Sequence, residues 1–403
     1  MSVAPALILN RRQAGGRIRP QLDGLRRALT ELGDPQEGLR SILVVGTNGK
    51  GSTAAMLAAV LSAHGVATGL YTSPHLIRVE ERVQLDGRPV SSADLGRRLA
   101  LLDRFADLTY FETLTAAAFE IFSDAGVEVA VLEAGMGGSW DATRLAGSAI
   151  VGLTNVGSDH RRWLGDDRRT IARDKGRALA AAERAVVGRE VDRDLFAELS
   201  APDAVPASSL VDCVEGPDGR VRLRWDDREA TAKMPLPGIF QRDNLQLALA
   251  LAQQAAEAGW MSRLEPQRVL EGLGKLRWPG RLSTHRVVGR EVLVDCAHNL
   301  EAARALAHYL VEDDRRFNLI FSCLDDKPLG EMAAVLRPCV AEIAVCPLAD
   351  ERAMPVEDLV AAFPGAKVAD TPLGCLEQLG DPVLAAGSIR LVGQLLADED
   401  GVS

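Results

Sequence analysis

Lys50, Ser52 and Thr53 stand among three glycines in the run Gly46-Thr47-Asn48-Gly49-Lys50-Gly51-Ser52-Thr53. The run separates an apolar stretch, Ser41 to Val45, from an alanine-rich one, Ala54 to His64. A strand that breaks into glycines and then into a helix aims backbone N–H groups and a helix N-terminus at one point, which suits phosphate. Lys50 adds a mobile positive charge for the outer phosphates, and Ser52 or Thr53 adds a hydroxyl for a phosphate-bound magnesium ion. The spacing G-x-x-G-K-G-S is shorter than the common G-x-x-x-x-G-K-[ST] loop. The run predicts a nucleoside-triphosphate user. A plain glycine-rich turn is the alternative, and Lys and Ser in register weigh against it.

Three further apolar runs end in polar groups. Leu70-Tyr71 leads into Thr72-Ser73-Pro74-His75, Val127–Leu132 into Glu133-Ala134-Gly135-Met136-Gly137-Gly138, and Ile150–Thr154 into Asn155-Val156-Gly157-Ser158-Asp159-His160. In an open parallel sheet, ligands lie beyond the carboxyl ends of the strands, so these residues belong at one rim with the glycine loop. Magnesium takes oxygen ligands and keeps waters, so Ser52, Ser73 and Glu133 suit it, with His160 as a less usual nitrogen ligand. Each has a plainer reading: Ser73 as a turn start, Glu133 as a solvated strand end, His160 as a helix cap. Lys175, in Asp174-Lys175-Gly176, falls in a helical segment starting near Asp167, where a lone lysine is usually a surface charge. Val292–Val294 ends in Asp295-Cys296-Ala297-His298-Asn299, where Asp295 or His298 alternatively caps a helix starting near Leu300.

The elements that position these residues alternate short β-branched runs with longer amphipathic ones, the pattern of parallel strands joined by covering helices. Strands are expected at Ile42–Val45, Val66–Tyr71, Val127–Leu132, Ile150–Thr154 and Ala185–Val187, with a hairpin about Asp86-Gly87. Residues 205–235 read as a polar antiparallel patch with a turn at Gly216-Pro217-Asp218-Gly219, followed by helices at Gln241–Ala258 and Pro266–Leu276. A second series has strands near Val292–Val294, Leu319–Phe321, Ile343–Val345 and Val383–Ala385, and helices such as Glu301–Val311 and Leu329–Leu336. The expected fold is α/β: a mostly parallel sheet domain carrying the phosphate loop, residues 1–280, then a smaller Rossmann-like α/β domain, 281–403, with the boundary at Pro279-Gly280.

With 403 residues and 47% hydrophobic content, the chain can build two or three cores. A net charge of -10 without a long Lys/Arg block argues against general nucleic-acid or membrane-surface binding. Six cysteines without a C-x-x-C pair read as reduced thiols rather than a zinc or disulfide framework. Together with the lack of a secretory pattern before Arg11-Arg12, or of a long apolar run, this predicts a cytoplasmic protein.

Together these segments resemble the folylpolyglutamate synthase/dihydrofolate synthase family within the Mur-type ATP-dependent amide ligases. The matching stretches are Gly46–Thr53, Tyr71–Arg82 (Y-T-S-P-H-L-I-R-V-E-E-R), Tyr110–Glu112, Leu132–Thr143 (L-E-A-G-M-G-G-S-W-D-A-T), Thr154–Gly165, Trp278–Leu282 (W-P-G-R-L), Asp295–Ala303 and Gly387–Gly393. The resemblance implies a folate-type carboxylate that attacks the γ-phosphate of ATP, and an acyl phosphate whose phosphate is displaced by the amine of L-glutamate. It implies ATP and magnesium as cofactors, with Gly46, Thr47, Asn48, Gly49, Lys50, Gly51, Ser52 and Thr53 around the phosphates. Ser52, Ser73, Glu133 and His160 serve the metal, and Lys50, His160 and Lys175 the chemistry, Lys175 matching a lysine that the family carries as a carbamate. Asn244, Arg281 and Asp295 contact nucleotide; Ser73, Arg82, His298 and Ser388 line the substrate sites. Closure of the two domains then excludes water from the acyl phosphate.

The chain departs from the family pattern at Ser139-Trp140-Asp141-Ala142-Thr143-Arg144 (usually R-L-D-A-T-N), at Arg161, Arg162 and Trp163, and at Gly176-Arg177-Ala178-Leu179 (usually A-G-I-I). Two other readings stand beside the folate ligase: a related Mur-type ligase for another acid, and a nucleotide-binding regulator without ligase activity. About 45 residues before the loop are too few for the uridine-diphosphate-sugar domain of cell-wall members. A monomer acting on small molecules, with no nucleic acid and no membrane, is expected. Replacing Lys50 by Ala is expected to abolish product formation while the circular dichroism spectrum stays unchanged; an active Lys50→Ala protein refutes the assigned phosphate site.

Overall fold

The computed structural model describes Pro5, Ile8, Leu9, Arg12 and residues 21–138, 140–157, 167–189, 191, 193–216 and 219–397. His160, with Ser158, Asp159, Arg161, Arg162 and Trp163, lies outside the described residues, as do Ser139, Pro217 and Asp218. The chain divides into two compact units, one of residues Met1–Pro235 with Gln241–Leu276, the other of Leu236–Phe240 with Arg277–Ser403. The division at Leu276 falls just before the Trp278-Pro279-Gly280 segment, and the short stretch Leu236–Phe240 belongs with the second unit.

In the first unit an eight-stranded sheet runs Arg88–Pro89 (β4), Val83–Leu85 (β3), Thr68–Tyr71 (β2), Val129–Glu133 (β5), Arg40–Val45 (β1), Ile150–Leu153 (β6), Arg184–Val187 (β7) and Val205–Pro206 (β8). All pairs are parallel except β2–β3 and β3–β4, the hairpin expected about Asp86-Gly87. Both turn residues have positive φ, 46° and 76°, the backbone that a two-residue turn of right-handed twist requires. The central strands are buried on both faces, which is why they read as continuous apolar runs rather than alternating ones. β1 lies between β5 and β6, so the loop leaving β1 is flanked by the ends of the two strands that carry Glu133 and Thr154.

Of the patch anticipated at 205–235, Asp212–Glu215 (β9), Arg220–Trp225 (β10) and Arg228–Lys233 (β11) form a separate antiparallel sheet, whereas Val205–Pro206 is the parallel edge strand β8 and Ala207–Leu210 is helical. β10 alternates exposed arginines with buried Val221, Leu223 and Trp225, whose indole N–H donates to the Leu264 carbonyl at 3.2 Å. In the second unit the order is Ser283–Val287 (β12), Arg290–Asp295 (β13), Val383–Ala386 (β17), Asn318–Phe321 (β14), Ile343–Val345 (β15) and Lys367–Val368 (β16). Only β12–β13 is antiparallel. The sequence pattern misses β12 because its burial alternates on an edge, and β16 because it has two exposed residues.

Four helix starts decide where functional side chains lie. The helix after β1 begins at Lys50, four residues before the expected Ala54, so Lys50, Gly51, Ser52 and Thr53 form its first turn. Asp167 caps helix Arg168–Ala180 through the N–H groups of Arg169 and Thr170. Asn299, not Asp295 or His298, caps helix Leu300–Glu312. Helix Phe240–Glu257 is buried along most of its length, including Gln241 and Asn244.

Helix Arg168–Ala180 is seated by glycine: a Cβ on Gly176 would stand 2.0 Å from the Leu199 carbonyl oxygen. Backbone cannot yield as a flexible side chain does, so Gly176→Ala is expected to destabilise the first unit by about 1–3 kcal/mol. Gly274→Ala, on a helix where an added Cβ meets nothing within 4 Å, is expected to be neutral or stabilising by about 0.5–1 kcal/mol. Urea denaturation of the two variants checks the contrast; equal midpoints refute it.

Candidate active site

The loop leaving β1 is held by the end of β6. Asn155 Oδ1 accepts from the N–H of Asn48 at 2.9 Å and of Thr47 at 3.3 Å, and the Thr154 hydroxyl donates to the Asn48 carbonyl at 2.6 Å. The Thr47 hydroxyl exchanges hydrogen bonds with Gly157. Gly46 permits this approach, since a Cβ there would fall 1.8 Å from Thr154 Oγ1. Gly49, the N-cap in left-handed conformation (φ 82°), packs against Asn244, whose Oδ1 would lie 2.2 Å from an added Cβ.

No side chain caps the helix that follows. The Thr53 N–H closes the first intrahelical bond on the Gly49 carbonyl at 2.9 Å, and the N–H groups ahead of it stand at the positive end of the helix dipole. Ser52 is buried, with its hydroxyl 3.4 Å from Gln241 Nε2, and Asn244 Nδ2 donates to Gln241 Oε1 at 2.9 Å. Among the described residues the buried Thr53 hydroxyl has no hydrogen-bond partner.

Two ammonium groups meet at one oxygen. Lys50 Nζ donates to the Gly46 carbonyl at 3.2 Å and to Thr47 O at 3.1 Å; Lys175 Nζ, on helix Arg168–Ala180, donates to the same Gly46 carbonyl at 2.9 Å. Lys175 is 2% exposed, so the reading of a surface charge fails. Like charges so close repel, and an anion between them and the helix N-terminus relieves that repulsion.

On the other side of β1, Glu133 pairs in register with Val44 and is 5% exposed, which rules out a solvated strand end. Its Oε2 accepts from the Ser73 N–H at 2.9 Å, which brings the two residues together through Ser73's backbone. Among the described residues no group of three His, Cys, Asp or Glu side chains is arranged to hold a metal. Arg82 is buried, donates through Nε to His75 Nδ1 at 2.9 Å and lies 5.2 Å from the Tyr110 ring centre.

Three residues given no role by the sequence reading prove structural to this rim. Asn155 shapes the phosphate loop. Asp141 accepts from Met136 N–H at 2.9 Å and from the Thr143 N–H and hydroxyl, closing the loop after Glu133. Asp174 accepts from Gly138 N–H at 2.8 Å, where glycine is needed because a Cβ would sit 2.7 Å from Lys175 Cα. A polar residue in a strand-end motif was the available signal for Asn155 and Asp141; Asp174 offered only its place beside Lys175.

In the second unit Asp295, at the end of β13, accepts from Leu282 N–H at 3.0 Å and Ala297 N–H at 2.9 Å. Burial pushes its carboxyl above the usual value, against the nearby Arg281 charge. His298 Nδ1 lies 2.9 Å from the Cys296 carbonyl oxygen, and Ser388, just past β17, is buried with its hydroxyl accepting from Arg390 N–H. Asp295, His298 and Ser388 thus share the carboxyl-end rim of the second sheet.

A parallel sheet with a glycine loop at its central strand, followed by a second parallel sheet, is the layout of a Mur-type ligase. The family described as Mur ligase middle domain matches residues 44–189, and the Mur ligase glutamate ligase domain matches 280–388. The dihydrofolate synthase/folylpolyglutamate synthase of Mycobacterium tuberculosis is 33% identical over 98% of this chain and 87% of that protein. The chain belongs to the folylpolyglutamate synthase/dihydrofolate synthase family. A probable bifunctional folylpolyglutamate synthase/dihydropteroate synthase of Haloferax volcanii is 34% identical over 94% of the chain, which spans only 48% of that relative. Among solved structures, the M. tuberculosis folylpolyglutamate synthase complexed with ADP superposes with a TM-score of 0.85 at 30% identity, covering 98% of both chains. E. coli FolC in complex with DHPP and ADP gives 0.87 at 25% identity, covering 99% of this chain and 98% of that one.

Burial pushes the Asp141 carboxyl above its ordinary 3.8, against its hydrogen bonds to Thr143, Met136 and Gly135. A carboxyl whose folded-state pKa exceeds the unfolded one contributes stability that is complete below the unfolded pKa and is lost as pH rises through the folded value. Relative to the non-titrating Asp141→Asn, the wild type is therefore expected to lose stability as pH rises from about 4. Urea midpoints of both proteins across a pH series check this; a difference that grows in favour of the wild type with rising pH refutes it.

Proposed function

We propose that the chain is an ATP-dependent ligase that joins a folate-type carboxylate, dihydropteroate or a reduced folate, to the amine of L-glutamate. The observation that carries the reading is the convergence of Lys50 and Lys175 on the Gly46 carbonyl, beside an uncapped helix N-terminus and next to Glu133. A carboxylate oxygen attacks the γ-phosphorus and the bond to the β-bridging oxygen breaks, releasing ADP. The glutamate amine then attacks the acyl carbon, inorganic phosphate leaves with the bonding pair, and the amine loses a proton.

The residues act on charge. Lys50 and the loop amides Gly46 to Thr53 meet negative charge that builds on the transferring phosphoryl group, in a setting fixed beforehand by Asn155 and Thr154. Magnesium, which fits the oxygen donors Ser52, Ser73 and Glu133, supplies further neutralisation of the phosphates. His160 is retained as a metal or phosphate contact by resemblance. Lys175 is assigned to the chemistry because it matches, by resemblance, a lysine that the family carries as a carbamate; here its Nζ is buried and donates to the Gly46 carbonyl. Asn244, Arg281 and Asp295 are assigned to nucleotide, and Ser73, Arg82, His298 and Ser388 to the acid and amine substrates. Neighbouring structures support the nucleotide and substrate classes: a bifunctional synthase from Yersinia pestis is complexed with AMPPNP and Mn ion, and another bifunctional synthase has Mn, AMPPNP and L-glutamate bound.

No helix among the described residues is long and apolar enough to cross a membrane. The six cysteines are free, five of them buried, in keeping with a reducing compartment. We read the protein as a cytoplasmic monomer that uses small-molecule substrates alone. The test is ADP release with magnesium and ATP against a panel of dihydropteroate, dihydrofolate, tetrahydrofolate and non-folate acids, each with and without glutamate, with products weighed by mass spectrometry. Turnover is expected only when a folate-type acid and glutamate are both present. Release that ignores both, or a product only with a non-folate acid, overturns the assignment.

A further inference from the structure

The second unit carries a cavity of about 390 Å³ on the rim opposite to Asp295 and Ser388. It is lined by Arg316 just before β14, Val340 and Glu342 just before β15, and Lys367 in β16, so it opens at the amino ends of the strands. Arg337, in the turn after helix Leu329–Leu336, completes the wall. Three cations against one carboxylate leave a surplus of two positive charges, in a chain whose net charge is -10.

The pairing inside the cavity sharpens the imbalance. Lys367 Nζ lies 2.9 Å from Glu342 Oε2, so the single carboxylate is already engaged. Arg316 donates to the Val340 carbonyl at 3.2 Å, and among the described residues neither Arg316 nor Arg337 has a carboxylate at ion-pair distance. Guanidinium groups present forked donors matched to carboxylate and phosphate oxygens. Both guanidinium groups line the one concavity, so an anion seated in it can take donors from each. The cavity volume falls in the about 300–1,000 Å³ range of small-molecule sites.

We propose that this cavity binds a small molecule bearing two or more oxyanion groups, phosphoryl or carboxylate, held by Arg316 and Arg337. The site is separate from the ligase reading and stands whether or not that reading does. Its test is isothermal titration of the full chain in the Lys50→Ala background, which removes the lysine of the phosphate loop, with inorganic pyrophosphate in one arm and citrate in the other. Saturable binding is expected in at least one arm; the tighter arm identifies the oxyanion as phosphoryl or carboxylate. Arg316→Gln/Arg337→Gln is expected to weaken it at least tenfold, and Glu342→Gln, which removes the one negative charge, to tighten it severalfold. These side chains are exposed, so the substitutions spare the core, and the gain in Glu342→Gln cannot come from a damaged fold. No saturable binding in either arm, unchanged affinity in the double variant, or no gain in Glu342→Gln overturns the proposal.

Discussion

The Gly46 carbonyl oxygen is the point on which the first unit's rim depends. It accepts from two lysines that reach it from different helices, and it is fixed because Gly46 itself is wedged against Thr154 where no side chain fits. Substitution of Gly46 would therefore act on three things together: the contact between β1 and β6, the path of the loop, and the anchorage of both ammonium groups. Charge of one sign is thereby concentrated at the end of the central strand, while Glu133 supplies the opposite sign one strand away. That separation is set by the roughly 4.8 Å spacing of neighbouring strands.

Much of this was legible in the residues. Strands buried on both faces announced themselves as unbroken apolar runs, and the polar residues that terminate them marked the rim. The early start of the helix at Lys50 was not legible, because glycine and serine are poor helix formers and only the geometry of the uncapped N-terminus draws them into its first turn. Nor could sequence show that Lys175 is buried. Its environment comes from Gly138 and Gly176, whose missing side chains let two backbones close on the helix. Strand β12 escaped notice because an edge strand with alternating exposure resembles a polar loop.

The second unit repeats the architectural principle with different chemistry. Asp295 is held by two backbone N–H groups at the end of β13, and its burial favours the neutral form against the nearby Arg281 charge. At the far edge of the same sheet, charge is arranged the other way, with cations in excess. One six-stranded sheet thus presents a carboxylate at one rim and guanidinium groups at the other.

Consecutive positions on helix Arg168–Ala180 grip two different loops: Asp174 takes the Gly138 amide and Lys175 the Gly46 carbonyl. Neighbouring side chains on a helix diverge by about 100°, so a single rigid rod serves as a crossbar with a hook on each side. Displacing the rod by even one residue's rise of about 1.5 Å would release both hooks at once. The loop that cradles and the loop that carries the carboxylate are thereby geared together, and whatever ligand tightens one of them lowers the entropic penalty of ordering the other.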